Sequence, residues 1–182
     1  MRKPEEFIYT QSGRVIHPDD LSAEHVDLND IATSLGAIDR FNGHSGISVL
    51  RHSIGVAKIT QRKFGHAYPD IFRIALLHDA AESYCMDVPV PKKKFMKPEW
   101  KEWSNFVENE IYLKFNLKPT EEELKLVNRV DKAVIPYEMS YAFELPRSEE
   151  AADGFNWSGF GSAYLWNVDD KDLVSVYTYL ME

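Results

Sequence analysis

Cysteine is nearly absent. Cys85 is the one thiol in 182 residues, so neither a disulfide within the chain nor a thiolate cluster for zinc is available. We read it as a small buried residue in a reducing compartment. Long apolar runs are missing too: nothing approaches the about 18 consecutive apolar residues of a membrane span. The opening Met1-Arg-Lys-Pro-Glu-Glu lacks the apolar centre of an export signal, so a cytoplasmic protein without membrane contact is expected. Basic charge is the third shortage. With 21 Lys and Arg against 29 Asp and Glu, the formal charge is -8, which argues against long nucleic acids, whose binding draws on a basic surface. A small anion remains compatible, because a metal ion and one or two cations neutralise it locally. No internal repeat or low-complexity segment is present.

The remaining composition is that of a folded globule. Hydrophobic residues at 44% and charged residues at 27% exclude both disorder and fibrous repeats. The length suits one core, so residues 1–182 are expected to form one domain.

Residues 1–26, punctuated by Gly13 and Pro18, read as an N-terminal arm with a short hairpin or turn. A first helix capped by Asn29 or Asp30 runs through Ile31, Leu35 and Ile38 and breaks at Asn42-Gly43. A second is expected from Ile47 to Gly65. A third, apolar nearly all round and therefore central, is expected from Asp70 through His78-Asp79-Ala80-Ala81-Glu82. Asp87-Val88-Pro89-Val90-Pro91 reads as a fixed non-helical loop. Trp100, Trp103, Val107, Ile111 and Phe115 repeat at helical spacing after Pro98, and Thr120 with Glu123 forms a capping box for the helix that carries Asp131. Pro136 is expected to kink or interrupt that helix before it continues to Phe143. Residues 146–166 form an aromatic loop, and a last helix follows Asp169. The expected fold class is all-α, a bundle of roughly five to seven helices.

His52, His78, Asp79 and Asp131 are the chemically informative positions, spread over three of these helices. Imidazole and carboxylate suit zinc, cobalt or manganese, and bundle interiors build metal sites in this way. A lone histidine on an apolar helix is usually a hydrogen-bonded core residue. The His78-Asp79 doublet resists that reading, because a carboxylate shortly after Ile-Ala-Leu-Leu is costly to bury without a partner. Asp131, among Val127, Val130, Val134 and Ile135, repeats the argument, although Arg129 or Lys132 could pair with it at the surface.

Five spaced elements, Arg40-Phe41-Asn42-Gly43-His44, Ser48 to Ser53 with His52, Leu76 to Glu82, Asp87 to Lys92, and Asp131, resemble those of HD-domain phosphohydrolases of the 5′-deoxynucleotidase type. They are similar also to phage HD-domain dATP triphosphohydrolases. The resemblance covers roughly residues 28 to 140. Where this sequence has Arg51 before His52, such proteins usually carry Glu or Gln.

The resemblance implies an HD-type helical bundle, one divalent metal (zinc, cobalt or manganese) on His52, His78, Asp79 and Asp131, and deoxynucleotide substrates. A dNTP, dATP in first place, is expected ahead of a dNMP. Glu82, by position and resemblance, is the candidate to orient water or shuttle a proton, with Asp79 and Arg40 beside it as catalytic residues. Arg40 and Lys92 suit phosphate. Phe41 could stack on a base, His44 could touch substrate or cap the next helix, and Asp87 could bind the sugar hydroxyl or support Lys92. His17, His25 and His66 are expected to face solvent. Expected partners are a small deoxynucleotide and further copies of the chain, in a host cytoplasm if the gene is a phage's. The competing readings are a non-catalytic nucleotide-binding HD module and a structural all-α protein with hydrogen-bonded core histidines.

Overall fold

A computed structural model of the chain describes residues 3–145 and 173–181. The arm begins with a hairpin of β1 (Ile8–Tyr9) and β2 (Val15–Ile16), antiparallel with Ile8 opposite Ile16, and Gly13 turns between them at φ 84°. It is not a loose appendage. Ile16, Leu21 and Val26 are buried in the main core.

Helix α1 (Leu28–Ala37) is capped by Asp27, which accepts from the backbone N–H groups of Asn29 and Asp30. Neither expected cap has that role: Asp30 is buried and accepts from the Ser12 backbone N–H and hydroxyl, both at 2.7 Å, which ties the arm to the bundle. The first helix also stops earlier than expected. A separate turn, α2 (Arg40–Gly43), carries the break, with Phe41 at φ 56° and Asn42 at φ 61° in the left-handed region. A bridge between Asp39 and Ser48, with Arg40 N–H to Ile47 O and Val49 N–H to Ile38 O both at 2.8 Å, closes this turn at its base.

Helix α3 (Val49–Phe64) starts on the Ser48 hydroxyl, which accepts from the Arg51 backbone N–H, and ends at Gly65. It packs against α1 and against α4 (Ile71–Leu76). Ile71, Ile74, Ala75 and Leu76 are fully buried, as their all-round apolar character requires. The central helix does not continue through the His-Asp doublet. The His78 Nδ1–H donates to Ala75 O at 2.7 Å and the Tyr177 hydroxyl donates to Leu76 O at 3.0 Å, so the last two carbonyls are claimed by side chains. Residues 77–81 form tight turns before α5 (Glu82–Cys85). Cys85 is buried, as read, and burial pushes its thiol up to about 12.

Beyond Met86, the Asp87–Pro91 loop is only half as expected. It gives way to one helical turn, α6 (Val90–Lys93), since proline is tolerated in a first turn. α7 (Pro98–Lys114) begins at its proline and buries Val107, Ile111 and Tyr112. α8 (Glu121–Phe143) has the expected capping box, with the Glu123 backbone N–H on Thr120 Oγ1 and the Thr120 backbone N–H on Glu123 Oε2. It holds Pro136 without losing its helical assignment. α9 (Leu173–Met181) lies against α1, α3 and α4. The chain is thus an all-α fold around one hydrophobic core. The 146–166 loop and the Asp169 helix start lie outside the described residues.

Tyr177 is fully buried and its hydroxyl satisfies a carbonyl that no helical N–H reaches. Tyr177→Phe should cost about 1–3 kcal/mol, the penalty of an unpaired buried acceptor. Urea unfolding measures it, and an unchanged midpoint would contradict this account of the helix end.

Candidate metal centre and adjoining cleft

Three elements bring the site together. α3 supplies His52 from its first turn, the tight turns after α4 supply His78 and Asp79, and α8 supplies Asp131. His52 is buried completely, whereas Asp79 and Asp131 keep 21% and 26% of their side-chain surface exposed, so the cluster is sealed on one side and open on the other. His52 Nε2 lies 3.3 Å from His78 Nε2, 3.1 Å from Asp131 Oδ1 and 3.6 Å from Asp79 Oδ2, and His78 Nε2 lies 3.3 Å from that same Asp79 oxygen. His52, His78 and Asp131 form a possible metal-binding triad, with ligand atoms all within 4.8 Å of one another. Asp79 Oδ2 lies beside the two imidazoles but outside that triad, so the expected fourth ligand is not part of the group.

The outer nitrogens decide what this cluster can hold. Ala75 O can only accept, so His78 Nδ1 must be the protonated nitrogen there. The buried Glu138 carboxylate accepts from His52 Nδ1 at 2.7 Å. In the neutral rings both Nε2 atoms are therefore bare, and they face each other and two carboxylates. In that state the two Nε2 atoms and the two carboxylates are all acceptors, with an Arg40 Nη 3.6 Å from Asp79 at the edge of the cluster. Ligands about 2.1 Å from one ion stand about 3.0–3.4 Å apart for right-angle to tetrahedral arrangements, which is the spacing of His52 Nε2 from His78 Nε2 and Asp131 Oδ1 and of His78 Nε2 from Asp79 Oδ2, whereas Asp79 Oδ2 stands 3.6 Å from His52 Nε2. The residues fit a divalent cation.

Protons are the alternative filling, and the electrostatics show it. Burial opposes a charge on His78, but Asp79 and then Asp131 outweigh it and push the imidazole up to about 9. Burial and Arg40 oppose protonation of His52, and Glu138 with Asp131 overcomes both, so it too is raised. Burial would raise Asp79, yet His78, His52 and Arg40 hold it well below the usual carboxylate range. Glu82 goes the other way: burial first, then Asp79 and Asp87, pushes it up to about 9.

Beside the cluster lies a cleft of about 370 Å³. Asp79, Glu82, Asp87 and Asp131 line it together with Arg40 and Lys93, and Phe41, Ile135 and Met139 add apolar surface. The sequence expectations divide here. Glu82 faces the cleft, with a buried Oε2 that has no hydrogen-bond partner. Although the helix has ended before His78, the tight turns keep Asp79 and Glu82 close, with Glu82 N–H donating to Asp79 O at 3.0 Å. Arg40 is also at the cleft, but it is not a free fork: its Nε donates to Glu138 Oε2 at 3.0 Å and an Nη lies 3.6 Å from Asp79. Phe41 lines the wall, its ring edge-on to Phe143 at 5.5 Å. Asp87 lines the cleft as well.

Lys92 is a correction. Its ammonium donates to Asn42 Oδ1 and it is exposed, and Lys93, one residue on, is the lysine that lines the cleft. His44 is exposed and ends α2 rather than capping the next helix, Ser48 having that role, and it is not among the residues lining the cleft. His66 is exposed, whereas His17 and His25 are half-buried; Asp19 N–H donates to His17 Nδ1, and the His25 ring pairs with the Ser22 hydroxyl.

Sequence reasoning missed Glu138 and Lys93. Glu138 had a signal, since it follows Asp131 by seven residues, two helical turns, and so shares its face. The expected interruption at Pro136 concealed it. A second cleft of about 400 Å³ shares Asp79 and Asp131 with the first and has His78, Glu108, Tyr112, Lys125 and Asn128 among its walls. The two aspartates thus line two openings.

No family model matches the chain. It is similar to the uncharacterized protein YfdR of Escherichia coli (strain K12), 34% identical over 115 residues that cover 62% of this chain and 60% of that protein. The chain thus spans about 60% of the length of the curated relative it matches. Among the described residues, no helix is long and apolar enough to cross a membrane.

The raised groups set a pH dependence for chelator-treated protein. The contribution of His78 is fully present below about pH 6.5, its unfolded value, and is lost as pH rises through about 9. Glu82, whose folded value also lies near 9, keeps a proton that the unfolded chain releases above about 4.5, so it likewise lowers stability as pH rises through that window. The thermal midpoint of metal-free protein should therefore fall between pH 6.5 and 9. A midpoint that is flat or rises over this range would contradict the protonated cluster.

Proposed function

We propose that the protein is a metal-dependent phosphohydrolase that removes phosphate from a small deoxynucleotide. One observation carries this reading: two imidazole Nε2 atoms, with both Nδ1–H groups already committed, cluster with two carboxylates, and those carboxylates line a cleft that also holds two cations and an apolar wall. His52, His78, Asp79 and Asp131 would hold the ion, zinc, cobalt or manganese by donor type. When bound there, a divalent ion supplies Lewis acidity, polarising a phosphate oxygen and making water a stronger acid.

The chain's own residues account for the other requirements. Arg40 and Lys93 offset phosphate charge from the cleft side. Phe41 presents a ring face or edge to a base. Hydrolysis adds water to phosphorus, breaks the bond to the 5′ oxygen and places a proton on that oxygen. Glu82, whose carboxyl burial and nearby carboxylates raise, is suited to hold and donate that proton from the cleft edge. Asp79 and Asp131 line both clefts, so a second opening reaches the same carboxylates and gives water a route to them.

Between the two expected substrates, the cation inventory favours the monophosphate over the triphosphate that the resemblance puts first. Among the described lining residues, Arg40 and Lys93 face Asp79, Glu82, Asp87 and Asp131, and one edge of Arg40 already serves Glu138. A triphosphate brings roughly twice the charge of a monophosphate into that acidic setting.

A panel of dNMP, dNTP, NTP and dinucleotides with zinc, cobalt and manganese, run beside Asp79→Ala, tests the proposal. We expect orthophosphate from dNMP and a loss of ~100-fold or more in Asp79→Ala. Triphosphate release from dNTP would support the other branch, and tight binding without turnover would make the protein a sensor. Glu82→Gln should lower kcat by ~10²–10⁴-fold with KM little changed, as expected for a proton-transfer group.

A further inference from the structure

We infer that Glu138 is a positioning residue that fixes the metal-facing tautomer of His52 with one oxygen and the pose of Arg40 with the other. The inference rests on the reading that His52 binds a divalent ion. Glu138 is 1% exposed, and both of its oxygens are engaged, Oε1 with His52 Nδ1 at 2.7 Å and Oε2 with Arg40 Nε at 3.0 Å. Two donors from different elements converge on it. A carboxylate accepts from both, whereas an amide in its place can accept from one and must turn its own N–H groups toward the other.

The two histidines differ in this respect. His78 is oriented by a main-chain carbonyl, which no side-chain replacement removes. His52 depends on a side chain. Because Glu138 stands two turns after Asp131 on α8, one helix supplies a ligand and also the support of a second ligand on α3. The same residue ties Arg40, at the base of the left-handed turn, to the metal side of the cleft. Metal binding and phosphate recognition therefore share one buried carboxylate.

The test is equilibrium zinc affinity, by competition with a chromophoric chelator, of the wild type, Glu138→Gln and Glu138→Ala, with the visible spectrum of the cobalt forms as a second readout. The expected result is a ~10–100-fold weakening in Glu138→Gln, more in Glu138→Ala, and an altered cobalt spectrum in both. Variants that bind zinc within about twofold of a zinc-binding wild type would overturn the inference and leave the hydrolase reading standing. A wild type that binds no zinc, cobalt or manganese would defeat the hydrolase reading itself. Nitrogen-15 NMR of the zinc-loaded wild type decides the matter even if the variants fail to fold. A strongly hydrogen-bonded proton on His52 Nδ1 is expected, and its absence would overturn the assignment.

Discussion

A buried imidazole has two nitrogens to satisfy, and the way His52 meets that demand organises the molecule. Its Nδ1 turns to Glu138 and its Nε2 to His78 and Asp131, so α3, α8 and the turns after α4 meet at one ring with no exposed surface. None of these groups tolerates burial unpaired. The hydrophobic core around them explains why the helices pack. The polar cluster explains why they pack in this register, since a rotation of α8 by one residue would withdraw both Asp131 and Glu138 from the ring.

The irregular backbone gathers around the cluster. α4 stops where the His78 ring and the Tyr177 hydroxyl take over its last carbonyls, and this break lets two adjacent residues, His78 and Asp79, face a common centre. In an unbroken helix, neighbours point about 100° apart. The left-handed Phe41 lines the same cleft with Asn42 next to it in the chain, and Met86, at φ 68° and ψ 149°, redirects the chain just before Asp87. Such conformations cost of order 1–3 kcal/mol each and persist where the surrounding structure over-determines them. Regular helices on one side and strained turns on the other divide the labour between holding the ligands and shaping the cleft.

An acidic chain with an acidic cleft makes chemical sense if a cation is the centre of its charge balance. Protons can fill the role, which is why the histidines rise and Asp79 falls, but they leave Glu82 protonated next to Asp79 and Asp87. A divalent ion would relieve the same repulsion and place its charge where a phosphate must approach. The similarity to YfdR, itself uncharacterized, extends over 115 residues and supplies no chemistry. The chemical argument is the site's own.

The sequence by itself determined the helical class, the Thr120 and Pro98 helix starts, the central place of Ile71 to Leu77, and the identity of the histidines and aspartates worth watching. Those features are local: caps, periodicity and an ionisable doublet in an apolar run are written within a few residues of one another. Only the tertiary structure decided that Asp27 and not Asn29 or Asp30 caps α1, that the central helix ends before His78, that Lys93 and not Lys92 reaches the cleft, and that Glu138 underlies the site. Each of these depends on a partner distant in sequence, such as Ser12 for Asp30, Tyr177 for Leu76, Asn42 for Lys92, or His52 and Arg40 for Glu138. Hydrogen bonds between elements are chosen by packing, and no local pattern encodes which donor a buried acceptor will meet.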